Sequence, residues 1–385
     1  MIFLDYQSTS PLDPRVVEKM QPYMTRWFGN PHSEHIFGWK SAEAIDKAQE
    51  LIASTVGAEP LEILFTSGAT LSNNLAIQGI LRNNKSRSKH LVTTSIEHKC
   101  VLNTALAMRE YGCLVDMVPV ERNGIIDIEK IESALTKDTA MVSVMLVNNE
   151  IGTIQPVREI GELCSKKGIT FHVDAAQAIG KVSINVKEMK IDLLSISGHK
   201  IYGPKGIGAL YVSHHYSSKI EPIIFGGAQQ SNLRAGTVPA FLCAGLGEAC
   251  RIADEEMEKD RAHDLLLRDT LIGKLRTHFP DLVINGNLNQ RISGNLNIQL
   301  PGVDSDALVT ALQDKVAFST GAACNAGIVE PSYVLAALGL NIDEINNSIR
   351  LGYGRFTSLE EVNRAIDLIS EKAIQIRNCP TSANF

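Results

Sequence analysis

The strongest constraint on the fold of this chain is a regular alternation of apolar runs and helical patterns over roughly residues 15–255. Runs rich in β-branched residues predict strands at residues 62–66, 90–95, 141–147, 170–174, 193–197 and 208–212. Helical patterns lie between them at residues 41–56, 71–81, 101–111 and 157–167. This alternation predicts an α/β fold in which helices cover both faces of a mainly parallel sheet. Ligands of such sheets bind beyond the carboxyl ends of the strands.

A change in the sequence near residue 255 predicts a second, smaller domain. A long charged helix is expected over residues 255–278, followed by short strands at 291–299 and 348–353 and by further helices. A chain of 385 residues is also too long for one small core. We therefore predict a large domain over residues 14–254 and a small α+β domain formed by residues 1–13 and 255–385.

Composition and charge argue against several classes of protein. The formal net charge is −6 and no lysine-rich block occurs, so nothing favours direct nucleic-acid binding. The longest apolar runs have the length of strands, and the first residues lack the pattern of a signal peptide, so no membrane association is expected. The seven cysteines form no CxxC or CxxH pair. This spacing argues against a disulfide framework or a metal site and predicts reduced thiols in the cytoplasm.

A lysine follows the predicted strand 193–197 in the sequence Ser-Gly-His-Lys. Most lysines on loops are simply solvated, but a hydroxyl, an imidazole and glycines surround Lys200 at this strand end. A lysine that forms a Schiff base needs a partly desolvated site that keeps its amine neutral. Ser197 and His199 are suited to donate hydrogen bonds to a phosphate. Lys200 is therefore a candidate Schiff-base lysine.

Small residues at 67–70 connect the predicted strand 62–66 to a helix. The free backbone N–H groups and the helix dipole at such a turn can bind an anion. The alternative is an ordinary side-chain cap by Ser67 or Thr70. The turn matches neither the Walker pattern nor GxGxxG, which argues against the usual nucleotide and dinucleotide sites.

Other predicted strands also end in polar residues. Asp174 ends strand 170–174, and a buried carboxylate needs a cationic partner, such as a protonated pyridine nitrogen, or several donors. A cap on the following helix is the alternative. His98 follows strand 90–95 and can stack on a ring and move protons. Asn149 follows strand 141–147, and its amide can donate to a phenolate oxygen.

The predicted small domain contains a thiol and a guanidinium suited to a substrate. Cys324 lies among small residues, which predicts a flexible, exposed loop with a thiol free to react. The other six cysteines are interpreted as structural. Arg350 lies between apolar residues of the predicted strand 348–353, where it needs an anion. That anion is either the carboxylate of a ligand or the partner in an internal salt bridge.

Together these segments resemble the cysteine desulfurases of the NifS/IscS kind, which are fold type I (aspartate-aminotransferase-like) enzymes dependent on pyridoxal phosphate (PLP). The likeness extends from Leu4 to Thr357. Its markers are SGATLSNNLAI, EHKCVL, VNNEIGT, HVDAAQAIGK, SGHKIYGPKGIGALYV, LRAGT, STGAAC, EPSYVLAALG and IRLGYGRFT. The resemblance implies a seven-stranded sheet in the large domain. It also implies removal of sulfur from L-cysteine, which yields L-alanine and a persulfide on Cys324.

The resemblance implies that one group of residues binds PLP. Lys200 would carry the cofactor as a Schiff base, His98 would stack on its ring and Asp174 would hold its ring nitrogen. The phenolic oxygen would be contacted by Gln177 and Asn149. The phosphate would be held by Ala69, Thr70, Ser197 and His199.

Further implied residues act on the substrate or across subunits. Arg350, assisted by Asn149, would bind the cysteine carboxylate, and Cys324 would attack the substrate sulfur. The loop 324–331 looks like the longer, mobile version of the family, which can carry a persulfide to a protein acceptor. Thr237 would reach the phosphate in the neighbouring subunit, which implies a homodimer with shared active sites.

Three departures from the family pattern remove no group that the chemistry needs. Leu71 replaces a usual glutamate, Gln7 replaces a small residue, and residues 225–232 differ from the usual glycine-rich segment. The sulfur could serve iron–sulfur assembly, tRNA thiolation or DNA sulfur modification. A selenocysteine lyase or another fold type I PLP lyase is the alternative reading. A non-catalytic scaffold is disfavoured because Lys200, Asp174 and Cys324 are all present.

Overall fold

The computed structural model describes the backbone of residues 1–83, 89–320, 322–325 and 328–378, with side chains except at 322–325, 328 and 329. Its helices are α1 (Pro14–Thr25), α2 (Ile36–Val56), α3 (Ala69–Leu81), α4 (Lys99–Glu110), α5 (Ile128–Ala134), α6 (Val157–Lys167), α7 (Ala240–Glu255), α8 (Met257–His278), α9 (Ser305–Leu312), α10 (Tyr333–Ala337), α11 (Ile342–Asn346) and α12 (Leu359–Asn378).

The strands alternate with these helices in the first two thirds of the chain and cluster again near its end. They are β1 (Ile2–Phe3), β2 (Ile63–Thr66), β3 (His90–Thr94), β4 (Leu114–Val118), β5 (Thr139–Met145), β6 (Thr170–Asp174), β7 (Leu193–Ser197), β8 (Gly208–Val212), β9 (Val283–Ile284), β10 (Asn295–Gln299), β11 (Val316–Ala317), β12 (Ser319–Thr320), β13 (Ala322–Asn325), β14 (Ile328–Pro331) and β15 (Ser348–Gly352).

The largest sheet has seven strands in the order β2-β8-β7-β6-β5-β3-β4. Adjacent strands of this sheet are parallel except at β8, which runs antiparallel to both β2 and β7. The predicted mainly parallel, seven-stranded sheet is therefore confirmed. Strands β6, β7 and β8 occupy the residues predicted for them, whereas β5 begins and ends two residues earlier than the apolar run 141–147.

Helices cover both faces of this sheet, which explains why every residue of β6, β7 and β8 is buried. Ile63 and Phe65 of β2 belong to a core cluster that includes residues of α2, α6 and α7. Leu64, between them, belongs to a second cluster with residues of α3 and α4. The same alternation recurs along β7 and β8, because successive side chains of a strand point to opposite faces.

A second sheet lies in the last part of the chain, with the strand order β12-β15-β10-β9 and antiparallel neighbours. Its core cluster combines Ile2 and Leu4 with apolar residues of α8, α9 and α12. The proposed division into residues 14–254 and residues 1–13 with 255–385 rests on this separate core. The division is not complete, since Val334, Leu335 and Leu338 pack in the first cluster of the large sheet.

The helix predicted over residues 255–278 is interrupted at its start. Helix α7 ends at Glu255 and α8 begins at Met257, after Glu256. An ion-pair network fixes this junction, because Arg355 contacts Asp13 at 2.9 Å, Glu256 at 3.2 Å and Asp260 at 2.7 Å. Among the described residues, no helix combines the length and apolarity needed to cross a membrane.

At Gly208 the backbone of β8 lies very close to the backbone of β7 and to the turn before α3. A Cβ atom on Gly208 would lie 2.4 Å from the Ile196 carbonyl oxygen and 2.7 Å from Gly68 Cα. We expect Gly208→Ala to lower the free energy of unfolding by about 1–3 kcal/mol, because backbone must move to admit the methyl group. Thermal unfolding followed by circular dichroism would measure this loss.

The control is Gly273→Ala in α8, where a Cβ would meet no atom within 4 Å. Alanine favours a helix interior, so this variant should be as stable as wild type or more stable, by up to about 1 kcal/mol. Equal melting temperatures for Gly208→Ala and wild type would contradict the steric argument.

Candidate active site

A cleft of about 1010 Å³ opens beyond the carboxyl ends of the strands of the large sheet. Residues 7–9 near the N-terminus and side chains of the small sheet border it on the other side. The predicted site residues that line it are Ala69, Thr70, His98, Asn149, Asp174, Gln177, Ser197, His199, Lys200 and Arg350. The fold therefore brings together residues as far apart in the sequence as Ala69 and Arg350.

Lys200 lies on the short 3-10 turn Gly198–Lys200 that follows β7. Its Nζ donates hydrogen bonds of 2.6 Å to the carbonyl oxygens of Gln7 and Ser8. Burial, together with the positive charges of Lys181 and Arg350, lowers the pKa of the Lys200 amine to about 8. A substantial fraction of this amine is therefore neutral near physiological pH, as a nucleophilic lysine requires.

Asp174 is buried at the end of β6 with donors on both carboxylate oxygens. Oδ1 accepts a hydrogen bond of 2.9 Å from the backbone N–H of Ala176, and Oδ2 accepts one of 2.7 Å from Nδ2 of Asn73. The capping alternative is thus partly realised, although the capped segment is a turn rather than an α-helix. The carboxylate still lines the cleft.

His98 is the N-cap residue of α4, and its ring enters the cleft. Its Nδ1 accepts the backbone N–H of Cys100 at 3.2 Å and lies 2.9 Å from Cys100 Sγ. Burial lowers the pKa of His98, with smaller contributions from Lys200 and Lys99, although Asp174 acts in the opposite direction. These effects favour the neutral imidazole.

Cys100 and Asn73 are cleft-region residues that the sequence analysis did not single out. Cys100, which was interpreted as structural, lines the cleft, and burial raises the pKa of its thiol to about 12. The protonated thiol can donate to His98, while Cys100 Sγ itself accepts Nδ2 of Asn73 at 3.1 Å. Cys100 follows His98 by two residues in the segment EHKC, and this short spacing could have indicated that the thiol lies near the imidazole.

The N-terminus of α3 borders the cleft with N–H groups that can bind an anion. Its N-cap residue is Gly68, at φ 142°, and in this fully described segment no side chain caps the helix. The capping alternative through Ser67 or Thr70 is therefore not observed, and the first N–H groups have no partner within the helix. His199, whose pKa burial lowers to about 4, stands nearby as a neutral imidazole, with Nδ1 3.1 Å from Thr9 Oγ1.

Arg350 projects from β15 into the cleft and is held by polar partners. Its guanidinium donates to Asp5 and to Ser319 Oγ, each at 2.8 Å, and to the Asn149 carbonyl at 3.2 Å. The internal salt bridge that the sequence left open is thus present. Arg350 Nε is buried without a hydrogen-bond partner among the described residues, so one N–H donor of the guanidinium remains for an anionic ligand.

Two predicted site residues, Cys324 and Thr237, are not among the described residues that line the cleft. The backbone of Cys324 lies in β13, which pairs antiparallel with β14 and sets Cys324 opposite Val329. The predicted loop thus contains a two-stranded ribbon, because its small residues adopt an extended conformation, while the Cys324 side chain lies outside the described part. Thr237 does not line the cleft but a separate surface pocket beside Trp27 and Phe28.

Comparison with known proteins agrees with this geometry. The pattern of the aminotransferase class-V family matches residues 2–365. The chain therefore belongs to the aminotransferase class-V family. A cysteine desulfurase of Mus musculus is 48% identical over 374 residues, which cover 97% of this chain and 80% of that protein.

Two solved structures show the same architecture. A NifS-like protein superposes with a TM-score of 0.90 at 32% identity and covers 96% of this chain and 98% of its own. SspA, solved in complex with cysteine, superposes with a TM-score of 0.82 at 37% identity and covers 93% of this chain and 100% of its own. The predicted resemblance and the fold type I architecture are therefore confirmed.

The buried carboxyl of Glu97, next to His98, generates a prediction about stability. Burial raises its pKa from 4.5 to about 8, although Oε1 accepts Thr94 Oγ1 at 2.6 Å and the Met145 N–H at 3.0 Å. Between pH 4.5 and about 8 the folded chain keeps a proton that the unfolded chain releases. The stability contributed by Glu97 therefore falls as pH rises, by at most about 1.4 kcal/mol per pH unit.

Glu97→Gln removes this titration while keeping an oxygen acceptor. Urea unfolding of both proteins at pH 5, 6, 7 and 8 measures the effect. The stability of wild type relative to Glu97→Gln should decrease steadily over this range. Parallel pH profiles would show that Glu97 is not held protonated.

Proposed function

We propose that this enzyme uses PLP to remove the sulfur atom of L-cysteine, leaving L-alanine and a persulfide on Cys324. The observation that carries the proposal is the arrangement of one cleft. A lysine amine of lowered pKa, a buried aspartate and an uncapped helix N-terminus all border it. Support comes from the named activity of the mouse relative and from the cysteine bound by SspA.

The side chains of the cleft suit PLP in charge and in type. The free N–H groups of α3, with Thr70, Ser197 and His199, supply donors for a phosphate. Asp174 supplies a carboxylate for a protonated ring nitrogen, and Lys200 supplies the amine. Bound PLP would act as an electron sink for the carbon next to the substrate amine.

The chain's own residues would bind the substrate and move its protons. Arg350 Nε, buried and without a partner among the described residues, can bind the cysteine carboxylate, and the amide nitrogen of Asn149 would assist. The Lys200 amine and the neutral imidazole of His98 can accept and return protons near neutral pH. The Cys324 thiolate would attack the substrate sulfur, so that cysteine becomes alanine while Cys324 gains one sulfur atom.

The proposed activity can be tested by incubating purified protein with PLP, L-cysteine and a thiol reductant without oxygen. Wild type should release alanine and sulfide in equal amounts. Lys200→Ala and Cys324→Ser should each lower both products by at least about 100-fold, because one lacks the cofactor amine and the other the sulfur acceptor. Cys324→Ser should keep the visible absorbance of bound PLP.

The control is Cys113→Ser, which changes a buried cysteine outside the cleft. Release of both products by Cys324→Ser at the wild-type rate would remove Cys324 from the proposal. A selenocysteine lyase or another fold type I lyase would then be the better description.

We also propose a homodimer in which Thr237 completes the partner's phosphate site. Thr237 lies outside its own cleft, in a surface pocket bordered by Trp27 and Phe28. Apolar side chains that line this pocket are exposed, including Met24 at 57% and Phe28 at 70%. Contiguous exposed apolar surface of this kind marks protein interfaces.

Charges introduced on this surface should separate the subunits. Sedimentation velocity should show a dimer for wild type and mainly monomer for the double variant Met24→Glu with Phe28→Glu. The control is Leu61→Glu, at a side chain that is 95% exposed elsewhere, and it should remain dimeric. A double variant that stays dimeric would place the interface on another surface.

The sulfur would pass from Cys324 to a protein acceptor, for iron–sulfur assembly, tRNA thiolation or DNA sulfur modification. We propose a cytoplasmic location, supported by thiol usage. Cys100, Cys113, Cys164, Cys243 and Cys250 are all free in the described part of the chain. Free thiols of this number are typical of a reducing compartment.

A further inference from the structure

Lys181 lies behind the cleft, in a second cavity that also reaches Lys200. This narrow cavity, of about 30 Å³, is bordered by Lys181, Lys200, Tyr202 and Asp264. Lys181 does not line the main cleft. It therefore approaches Lys200 from this second cavity rather than from the main cleft.

A continuous chain of hydrogen bonds connects the two lysines. Lys181 Nζ donates to Gln177 Oε1 at 3.2 Å, and Gln177 Nε2 donates to the Gln7 carbonyl oxygen at 2.9 Å. The same carbonyl oxygen accepts Lys200 Nζ at 2.6 Å. An ammonium group has donors and no acceptor, so Lys181 requires the amide of Gln177 to present its oxygen to it. The amide nitrogen then faces Gln7 and the cleft.

Charged groups surround both ends of this chain. Lys200 is influenced by the cations Lys181 and Arg350 and by the anions Asp5 and Asp174. Lys181 is influenced by the buried carboxyl of Asp264, whose Oδ1 has no hydrogen-bond partner among the described residues. Burial lowers the pKa of Lys181 to about 8 and raises the pKa of Asp264 to about 8.

We propose that Lys181 is a positioning residue that orients the Gln177 amide and places a second positive charge behind Lys200. The orientation matters because only the nitrogen of Gln177 can donate to an anionic oxygen of a ligand. The charge matters because a nearby cation favours loss of a proton from the lysine nitrogen. This inference rests on the proposed function, since Gln177 and Lys200 have these tasks only when PLP is bound.

The test is a pH titration of the visible absorbance of bound PLP, which follows the proton on the Lys200 nitrogen without any turnover. In Lys181→Met the midpoint should rise by about one pH unit, because one positive charge near Lys200 is lost. Lys181→Arg should keep the wild-type midpoint. The matched control is Lys187→Met, which removes an exposed lysine paired with Glu59 and should change nothing.

Each outcome separates the inference from the proposed function. A Lys181→Met midpoint equal to that of wild type overturns the inference alone. Wild-type protein that shows no visible band with PLP overturns the proposed function and the inference with it. If Lys181→Met does not fold, Lys181→Gln supplies the same measurement, since it lacks the charge but keeps a hydrogen-bond donor.

Discussion

Burial of charged side chains at the carboxyl edge of the large sheet is the constraint on which the rest of the arrangement depends. A partly buried amine such as Lys200 needs acceptors, and here they are the backbone carbonyl oxygens of Gln7 and Ser8. The N-terminal segment must therefore pass along the cleft. It is held there because β1 pairs with β11, and because Asp5 forms a bridge to Gly352 at the end of β15.

The same N-terminal segment supplies Asp5 as the ion-pair partner of Arg350, which lies on the small-sheet side of the cleft. Asp5 accepts hydrogen bonds from Arg350 and from Ser319 Oγ, each at 2.8 Å. A few consecutive residues thus hold the lysine of the large sheet and the arginine of the small sheet in one position relative to each other. Removal of one partner from such a buried network leaves an uncompensated charge, so these residues depend on one another.

The sequence predicted those parts of the molecule in which local pattern and tertiary structure agree. Strands β6, β7 and β8 were found at their residues because both faces are buried, which enriches these strands in apolar and β-branched residues. Strand β4 was missed because it lies at the edge of the sheet, where Leu114 is 69% exposed and the apolar pattern is broken. Site residues such as Asp174, Ser197 and Lys200 were predicted because polar side chains at strand ends are recognisable in a sequence, whereas Ala69 and Gln177 were implied only by the family resemblance. The acceptors of Lys200 were not predicted, because a backbone carbonyl oxygen carries no sequence signal.

Helix α3 shows how secondary structure sets the geometry of the site. Its uncapped first turn begins at Ala69, and Asn73 follows four residues later, about one turn or roughly 5–6 Å along the axis. The Asn73 amide nitrogen donates hydrogen bonds to Asp174 on β6 and to Cys100 Sγ on α4. Cys100 Sγ in turn contacts His98 Nδ1. The distance between the anion site and Asp174 is therefore fixed by a rigid helix rather than by flexible side chains. The spacing of small residues and Asn73 in SGATLSNN has a geometric reason, because a shift of one residue would turn Asn73 about 100° away from Asp174.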